Sequence, residues 1–196
     1  GGGGSVATGM ESSLPGIQFA CTGSAALFRI NGRAAVERAR DFDMAVRRMA
    51  EHGVREVHLA LAGCPLLDST FSGTLAGLAE EVRDGVPLVR FVLHGARPRI
   101  LDGLANLDVL PLLHVADDGA PMPVGGPLQD LPQGLASKED IGRFCLGAHE
   151  NLGRLSDAND ARFAELRRML AGELARARPG TTEASPPGTV AAASDP

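Results

Sequence analysis

The sequence predicts an α/β fold, with a mostly parallel sheet of about five strands, covering helices and a C-terminal helical extension. From residue 16 to 117 the apolar residues alternate between a spacing of about two and about 3.6, which indicates strands alternating with helices. The run "VPLVRFVLHG" is almost continuously apolar, which is typical of a strand in the middle of a parallel sheet. A second region with helical periodicity follows a stretch rich in Pro and Gly.

The first half of the chain contains two predicted strands, a helix and a third strand. "IQFACTGSAALFRINGR" predicts two short strands that meet at a turn around Gly23. A helix is expected over 35–52 because Val46 and Met49 continue an apolar spacing of three to four, and Gly53 suits its C-terminal end. "VREVHLALAG" alternates and then becomes uniformly small and apolar, which predicts a buried strand.

The second half of this region repeats the alternation. A helix is predicted over 69–84, with Phe71, Leu75, Leu78 and Val82 on its buried face. The strand "VPLVRFVLHG", a helix over 97–107 and the strand "LPLLHVAD" follow. The resulting order is β-β-α-β-α-β-α-β, which implies crossover connections and a sheet covered by helices.

The composition divides the chain into five segments. Residues 16–117 form the predicted sheet domain, 118–136 a Pro/Gly linker and 137–178 a pair of helices, near 138–155 and 157–177. The ends, 1–15 and 179–196, are rich in Gly, Ser, Ala and Pro, so we predict a disordered tail or linker and a disordered tail. Because forty residues are marginal for an independent domain, the helical pair should pack on the sheet domain or on a partner.

Charge and composition exclude several classes of function. The net charge of -5 argues against direct binding of nucleic acid, and 4% aromatic residues without Trp or Tyr argue against a stacking platform. We expect no membrane span, no secretory signal and a cytoplasmic location. Cys21, Cys64 and Cys145 are predicted to be buried free thiols, and the five histidines form no metal-binding motif, so neither a metal nor a cofactor is expected.

The stretch "LLDSTFSGTLAGLAEEV" places Asp68, Ser69 and Thr70 at a predicted corner between a strand and a helix. With the strand ending at Leu67 and the helix starting near Ser69, these residues lie at the helix N-terminus, where backbone N–H groups lack partners. All three are residue types that cap helices, so one interpretation is a structural cap. The other is a surface that a partner binds and phosphorylation switches.

The corner and the order of elements together resemble the STAS domain of bacterial anti-sigma factor antagonists. In that family the pattern is close to Asp-Ser-Ser/Thr-Gly-Leu-Gly. Asp68 and Ser69 match its first two positions, Thr70 the phosphorylated hydroxyl residue and Gly73 the last glycine, whereas Phe71 and Ser72 replace Gly-Leu. The resemblance covers about 100 of the 196 residues.

The resemblance implies a STAS-like fold and a non-enzymatic bacterial protein that regulates transcription by switching partners. Its partner would be an anti-sigma factor that is also a serine protein kinase, with a phosphatase as a further candidate. Thr70 would accept the phosphate, with Ser69 as the alternative acceptor. The surface that binds the partner would be formed by Asp68, Ser69, Thr70, Phe71 and Gly73.

Other functions have weaker support in the sequence. A hydrolase would use Ser69 or Thr70 as its nucleophile, but no GxSxG motif surrounds them and no suitable histidine is indicated. A nucleotide-binding protein would need a GxGxxG or Walker A motif, which the sequence lacks. A non-switching STAS module stays open: an accessory subunit of a lipid-transport ATPase, a stressosome-like scaffold or a small-ligand sensor.

Overall fold

The computed structural model describes residues 15–122 and 125–177, and these form an α/β fold with a mostly parallel sheet. The predicted tails at 1–15 and 179–196 lie outside the described residues, apart from Pro15. The strands are β1 Gly16–Thr22, β2 Ala25–Asn31, β3 Glu56–Ala60, β4 Val82–Arg83, β5 Val86–Pro87, β6 Arg90–His94, β7 His114–Val115 and β8 Gln129–Asp130. The helices are α1 Val36–Glu51, α2 Ser69–Glu80, α3 Pro98–Asn106, α4 Lys138–Leu155 and α5 Asp157–Ala177.

The main sheet has six strands in the order β7-β6-β3-β2-β1-β8. The pairs β2–β3, β3–β6 and β6–β7 are parallel, whereas β1 pairs antiparallel with β2 and with β8. The predicted fold class is therefore confirmed, with one strand more than the expected five. The turn between β1 and β2 uses Gly23 at φ 59°, a backbone conformation that glycine adopts without steric cost.

A cluster of phenylalanines joins the sheet to the helices that cover it. Phe28 of β2 packs edge-on against Phe42 of α1 at 4.9 Å, and Phe42 stacks on Phe71 of α2 at 5.1 Å. These three rings and Phe91 of β6 have no exposed surface. Such aromatic pairs contribute about 0.5–1.5 kcal/mol beyond the burial of their area, so they fix the first turn of α2 against the sheet.

Two predicted boundaries around α2 are wrong. The strand before it ends at Ala60 rather than Leu67, and Leu67 forms only an isolated parallel bridge with Ala34. Helix α2 ends at Glu80 rather than near residue 84, because Asp84 and Gly85 turn the chain into the hairpin β4–β5 with positive φ angles of 53° and 77°. Positive φ at both central residues is the geometry of a tight hairpin turn.

The segment predicted as a Pro/Gly linker, 118–136, contributes strand β8 to the sheet. Strands β7 and β8 lie at opposite edges, so the chain between them passes from one edge of the sheet to the other. The N–H of Leu131 donates to the carbonyl of Ile17 at 2.7 Å, and the Leu131 side chain is buried. Burial of this leucine holds the end of the segment on β1.

Both C-terminal helices form where the periodicity predicts them, and α4 packs on α2. The start of α4 is fixed by a capping box in which Ser137 and Asp140 bond each other's backbone N–H groups. Leu152 of α4 is fully buried in the core of the sheet domain. Asn159 of α5 donates to the carbonyl of Leu107 at 2.7 Å, which anchors the helical pair to the end of α3.

The thiols differ partly from the prediction of buried cysteines: Cys64 is buried, Cys145 is half-buried and Cys21 is exposed. Across residues 15–122 and 125–177, no helix combines the length and the apolarity needed to cross a bilayer.

Candidate protein-interaction site at the start of helix α2

Asp68 is the N-cap of α2. Its Oδ1 accepts a hydrogen bond from the N–H of Phe71 at 2.7 Å, and its backbone is extended as a cap requires. Burial raises the pKa of the Asp68 carboxyl above its usual value, although the Phe71 N–H and the Arg33 guanidinium both oppose the shift. The Asp68 carboxylate holds this hydrogen bond although it is partly desolvated, and the bond fixes the position of Ser69 and Thr70.

Ser69 is half-buried and its Oγ lies 2.9 Å from Nε2 of His149 in α4. The other ring nitrogen, Nδ1, lies 2.7 Å from the backbone carbonyl of Cys145, which can only accept. Nδ1 must therefore carry a hydrogen, and in a neutral ring Nε2 is then the acceptor for the Ser69 hydroxyl. His149 has 1% of its surface exposed, and this hydrogen bond links it to the first turn of α2.

Thr70 is buried, with 5% of its surface exposed, whereas a phosphate acceptor on a partner-binding surface would be exposed. Its Oγ1 lies 3.5 Å from Sγ of Cys145, and its carbonyl accepts from the Thr74 hydroxyl at 2.8 Å. The side chain thus lies between the first turn of α2 and the middle of α4.

The remaining predicted contact residues are also covered. Phe71 lies in the core with no exposed surface, where it anchors the corner, and its contact with a partner stays a prediction. Gly73 lies under α4, where a Cβ atom would overlap the backbone carbonyl of Ala148. The amide of Asn151 donates to the Gly73 carbonyl at 3.0 Å. Asp68, Ser69, Thr70 and Gly73 therefore lie together, and the last three of them contact α4.

The sequence reasoning missed that Cys145, His149 and Asn151 of α4 contact this corner, together with the backbone of Ala148. They lie 75 to 80 positions away in the chain and belong to no motif. One signal could have been used. Gly73 and Gly77 lie four residues apart on α2, and small residues at that spacing allow another helix to approach closely.

The Ser69–His149 pair corrects the expectation that no histidine is placed near these hydroxyls. Chemically, Nε2 could accept the Ser69 proton, which is how a histidine activates a serine nucleophile. In catalytic triads a carboxylate holds the other ring nitrogen, whereas here a backbone carbonyl does, and the ring is buried. The pair resembles a structural hydrogen bond more than a reaction centre.

A second group of titratable side chains lies on the sheet, away from the corner. His58 Nδ1 and His94 Nε2 are 2.8 Å apart, and Glu56 contacts His58 Nε2 at 2.7 Å. Burial lowers the pKa of His94, and the neighbouring His58 adds to that effect. Among the described residues, no three His, Cys, Asp or Glu side chains are grouped so that they could hold a metal ion.

Comparison with known proteins gives a similarity of fold at low identity. No protein-family model matches the sequence, and no curated protein matches it. Among solved structures, the anti-sigma factor antagonist SpoIIAA in its unphosphorylated form is 14% identical, with a TM-score of 0.45 over 52% of this chain and 88% of that chain. A similarity of this size assigns neither a partner nor a site to the present chain.

Proposed function

We propose that this chain is a STAS-like anti-sigma factor antagonist, a cytoplasmic, non-enzymatic protein that binds an anti-sigma factor with serine kinase activity and is controlled by phosphorylation. Thr70 is the proposed acceptor, with Ser69 as the alternative. Asp68, Ser69, Thr70 and Gly73 form the proposed partner surface, which Phe71 supports from the core. A phosphatase that reverses the modification is a further proposed partner.

The observation that carries this proposal is the rigid placement of two hydroxyls on the first turn of α2. Asp68 caps the helix at 2.7 Å and Phe71 locks it into the aromatic core, so Ser69 and Thr70 lie where the helix dipole is positive. A phosphate there would be stabilised by the backbone N–H groups and would add about 1.5 to 2 negative charges to the surface. Added charge and bulk at a contact surface are sufficient to release a partner.

The test is phosphate incorporation by the anti-sigma kinase of the host, located by mass spectrometry. Thr70→Ala should abolish incorporation and leave partner binding intact, and Thr70→Glu should weaken that binding, although one carboxylate mimics a phosphate poorly. Ser69→Ala is the matched control and should still be modified at Thr70. If the label follows Ser69 instead, Ser69 is the acceptor.

A second function, a non-switching STAS interaction module, is favoured by the burial of Thr70. With 5% of its surface exposed, Thr70 does not reach a kinase while α4 is in place. In that case the corner is a docking surface without phosphorylation, as in an accessory subunit, a scaffold or a small-ligand sensor. Absence of phosphate at both Ser69 and Thr70 after incubation with the kinase would select this alternative.

A further inference from the structure

Helix α4 covers the side of α2 that carries the proposed partner surface. Where the two helices meet, the backbone of Ala148 approaches Gly73 so closely that a Cβ there would overlap its carbonyl, and a Cβ on Gly77 would overlap the amide of Asn151. The contact is specific as well as close, because His149 bonds Ser69 and Asn151 bonds the Gly73 carbonyl. Helix α2 therefore presents a surface shaped for another helix.

The residues that α4 contacts are the residues proposed to bind the partner. Ser69, Thr70 and Gly73 each touch a side chain or the backbone of α4. Two molecules cannot occupy one surface at once, so α4 and a partner exclude each other here. A phosphate on Thr70 is excluded in the same way, since its Oγ1 already lies 3.5 Å from Cys145 Sγ.

The C-terminal helical pair is also anchored just beyond its contacts with the corner. Leu152 is fully buried, Asn159 bonds the Leu107 carbonyl at 2.7 Å, and Ser156 bonds the Asp108 carboxylate at 2.7 Å. The first seven residues of α4, from Lys138 to Phe144, include no buried residue. Uncovering the corner therefore requires the stretch from Cys145 to Asn151 to leave α2, and the anchors at Ser156 and Asn159 lie beyond that stretch.

We propose that α4 is a built-in competitor for the partner surface of α2, so that the partner, which presents a helix with a small residue to Gly73, binds only after α4 is displaced. This inference rests on the proposed function and adds its regulation. The chain without a partner is then the closed form. Kinase access to Thr70 depends on release of α4, and phosphate on Thr70 prevents its return.

The first test measures access to position 70 without any partner. In the full-length chain, Thr70→Cys is combined with Cys145→Ser so that the new thiol has no disulfide partner, and alkylation by iodoacetamide is followed at each cysteine by mass spectrometry. Exposed Cys21 serves as the fast reference and buried Cys64 as the slow one. The thiol at position 70 should react at least about tenfold more slowly than Cys21, because it reacts only when α4 opens.

Two matched variants on α4 are then compared: one should release α4 from α2, and the other should leave it in place. Ala148→Glu places a carboxylate at a position that is 4% exposed, whereas Gly147→Glu adds the same charge one residue away, where a Cβ meets no atom within 4 Å. Ala148→Glu should raise the reactivity at position 70 at least about tenfold, and Gly147→Glu should leave it unchanged. Cys64 should stay protected in both, which shows that the core is intact.

If Ala148→Glu also exposes Cys64, the milder Asn151→Ala replaces it, since it removes the bond to the Gly73 carbonyl and otherwise only an exposed bond from Arg154. Equal reactivity at position 70 in the two matched variants, with Cys64 protected, overturns the inference. So does a parent chain in which position 70 reacts as fast as Cys21.

The second test incubates the cognate kinase with chains that carry Ala148→Glu or Gly147→Glu and keep the native Thr70 and Cys145. Both substitutions lie on α4, so they leave the residues of the proposed partner surface unchanged. Phosphate incorporation should be at least about tenfold faster with Ala148→Glu than with Gly147→Glu, in line with the greater access. Equal rates refute the competitor role of α4 and leave the proposed function standing. No phosphate in either variant, with position 70 open to alkylation, refutes the proposed function and the competitor role with it.

Discussion

The hydrogen bond between Ser69 and His149 should stabilise the chain by more than an exposed contact would. Ser69→Ala removes the donor that faces Nε2 of a ring with 1% of its surface exposed. A buried acceptor left without a partner costs about 1–3 kcal/mol. For a domain of this size, 1 kcal/mol lowers Tm by about 2–4 °C, so Ser69→Ala should lower Tm by roughly 2–12 °C.

Replacing His149 should lower the free energy of unfolding by less than Ser69→Ala does. A double-mutant cycle then measures the interaction between the two residues. His149→Phe keeps a ring that can pack on Phe163, 5.0 Å away between centroids, and leaves the half-buried Ser69 hydroxyl able to bond water. When both residues are replaced by apolar ones, no buried polar group is left without a hydrogen-bond partner. The loss in free energy of unfolding of the double variant should therefore be smaller than the sum of the two single losses by about 1 kcal/mol or more.

The free energies of unfolding should be measured by urea denaturation for the four chains of the cycle, with the slope of each curve compared to confirm that the same transition is observed. A coupling energy within about 0.5 kcal/mol of zero would mean that Ser69 and His149 do not interact. That result would contradict the tautomer assigned from the Cys145 carbonyl and the closed position of α4.

Two further predictions concern the sheet and the cap. Because burial places the pKa of His94 below its usual 6.5, the folded chain binds fewer protons there than the unfolded chain, so stability should fall as the pH drops below about 6.5. His94→Gln should reduce that dependence in denaturation curves at pH 7.5 and 5.5. Asp68→Ala should lower the free energy of unfolding by about 0.5–2 kcal/mol, whereas Asp68→Asn, which still accepts from Phe71, should retain most of it.

The long helices could be predicted because the apolar residues of their buried faces repeat at helical spacing over several turns of the sequence. The helix expected over 35–52 is Val36–Glu51, and the helix expected over 97–107 is Pro98–Asn106. Of the two-residue strands, only β5 and β7 fall within predicted strands, as parts of the longer runs "VPLVRFVLHG" and "LPLLHVAD", whereas β4 and β8 do not. Strands of two residues such as Gln129–Asp130 have no period to detect, and their existence depends on pairing with a strand more than one hundred residues earlier.

The end of α2 shows a different reason for failure. Val82 continues the apolar spacing of α2, yet it lies in the hairpin with 58% of its surface exposed. The turn at Asp84 and Gly85, two residues after Val82, requires the helix to end before it. This turn signal is stronger than the apolar spacing that Val82 continues. Similarly, the sequence marks Asp68 as a cap, but no local pattern states what will cover Thr70.

The composition of α2 supplies the physical reason why something must cover it. Helices on the surface of a two-layer domain have one polar face, but Ser69–Glu80 contains a single charged residue, Glu80, at its very end. One side of the helix packs on the sheet through Phe71 and Leu75, and the opposite side offers Gly73 and Gly77. Glycine and small hydroxyl side chains leave the backbone of α2 close to its surface. Such a surface is covered better by a closely packed helix than by water. Helix α4 fills that position in this structure, and any partner that displaces it must offer the same kind of contact: a small residue over Gly73 and a donor for the Gly73 carbonyl.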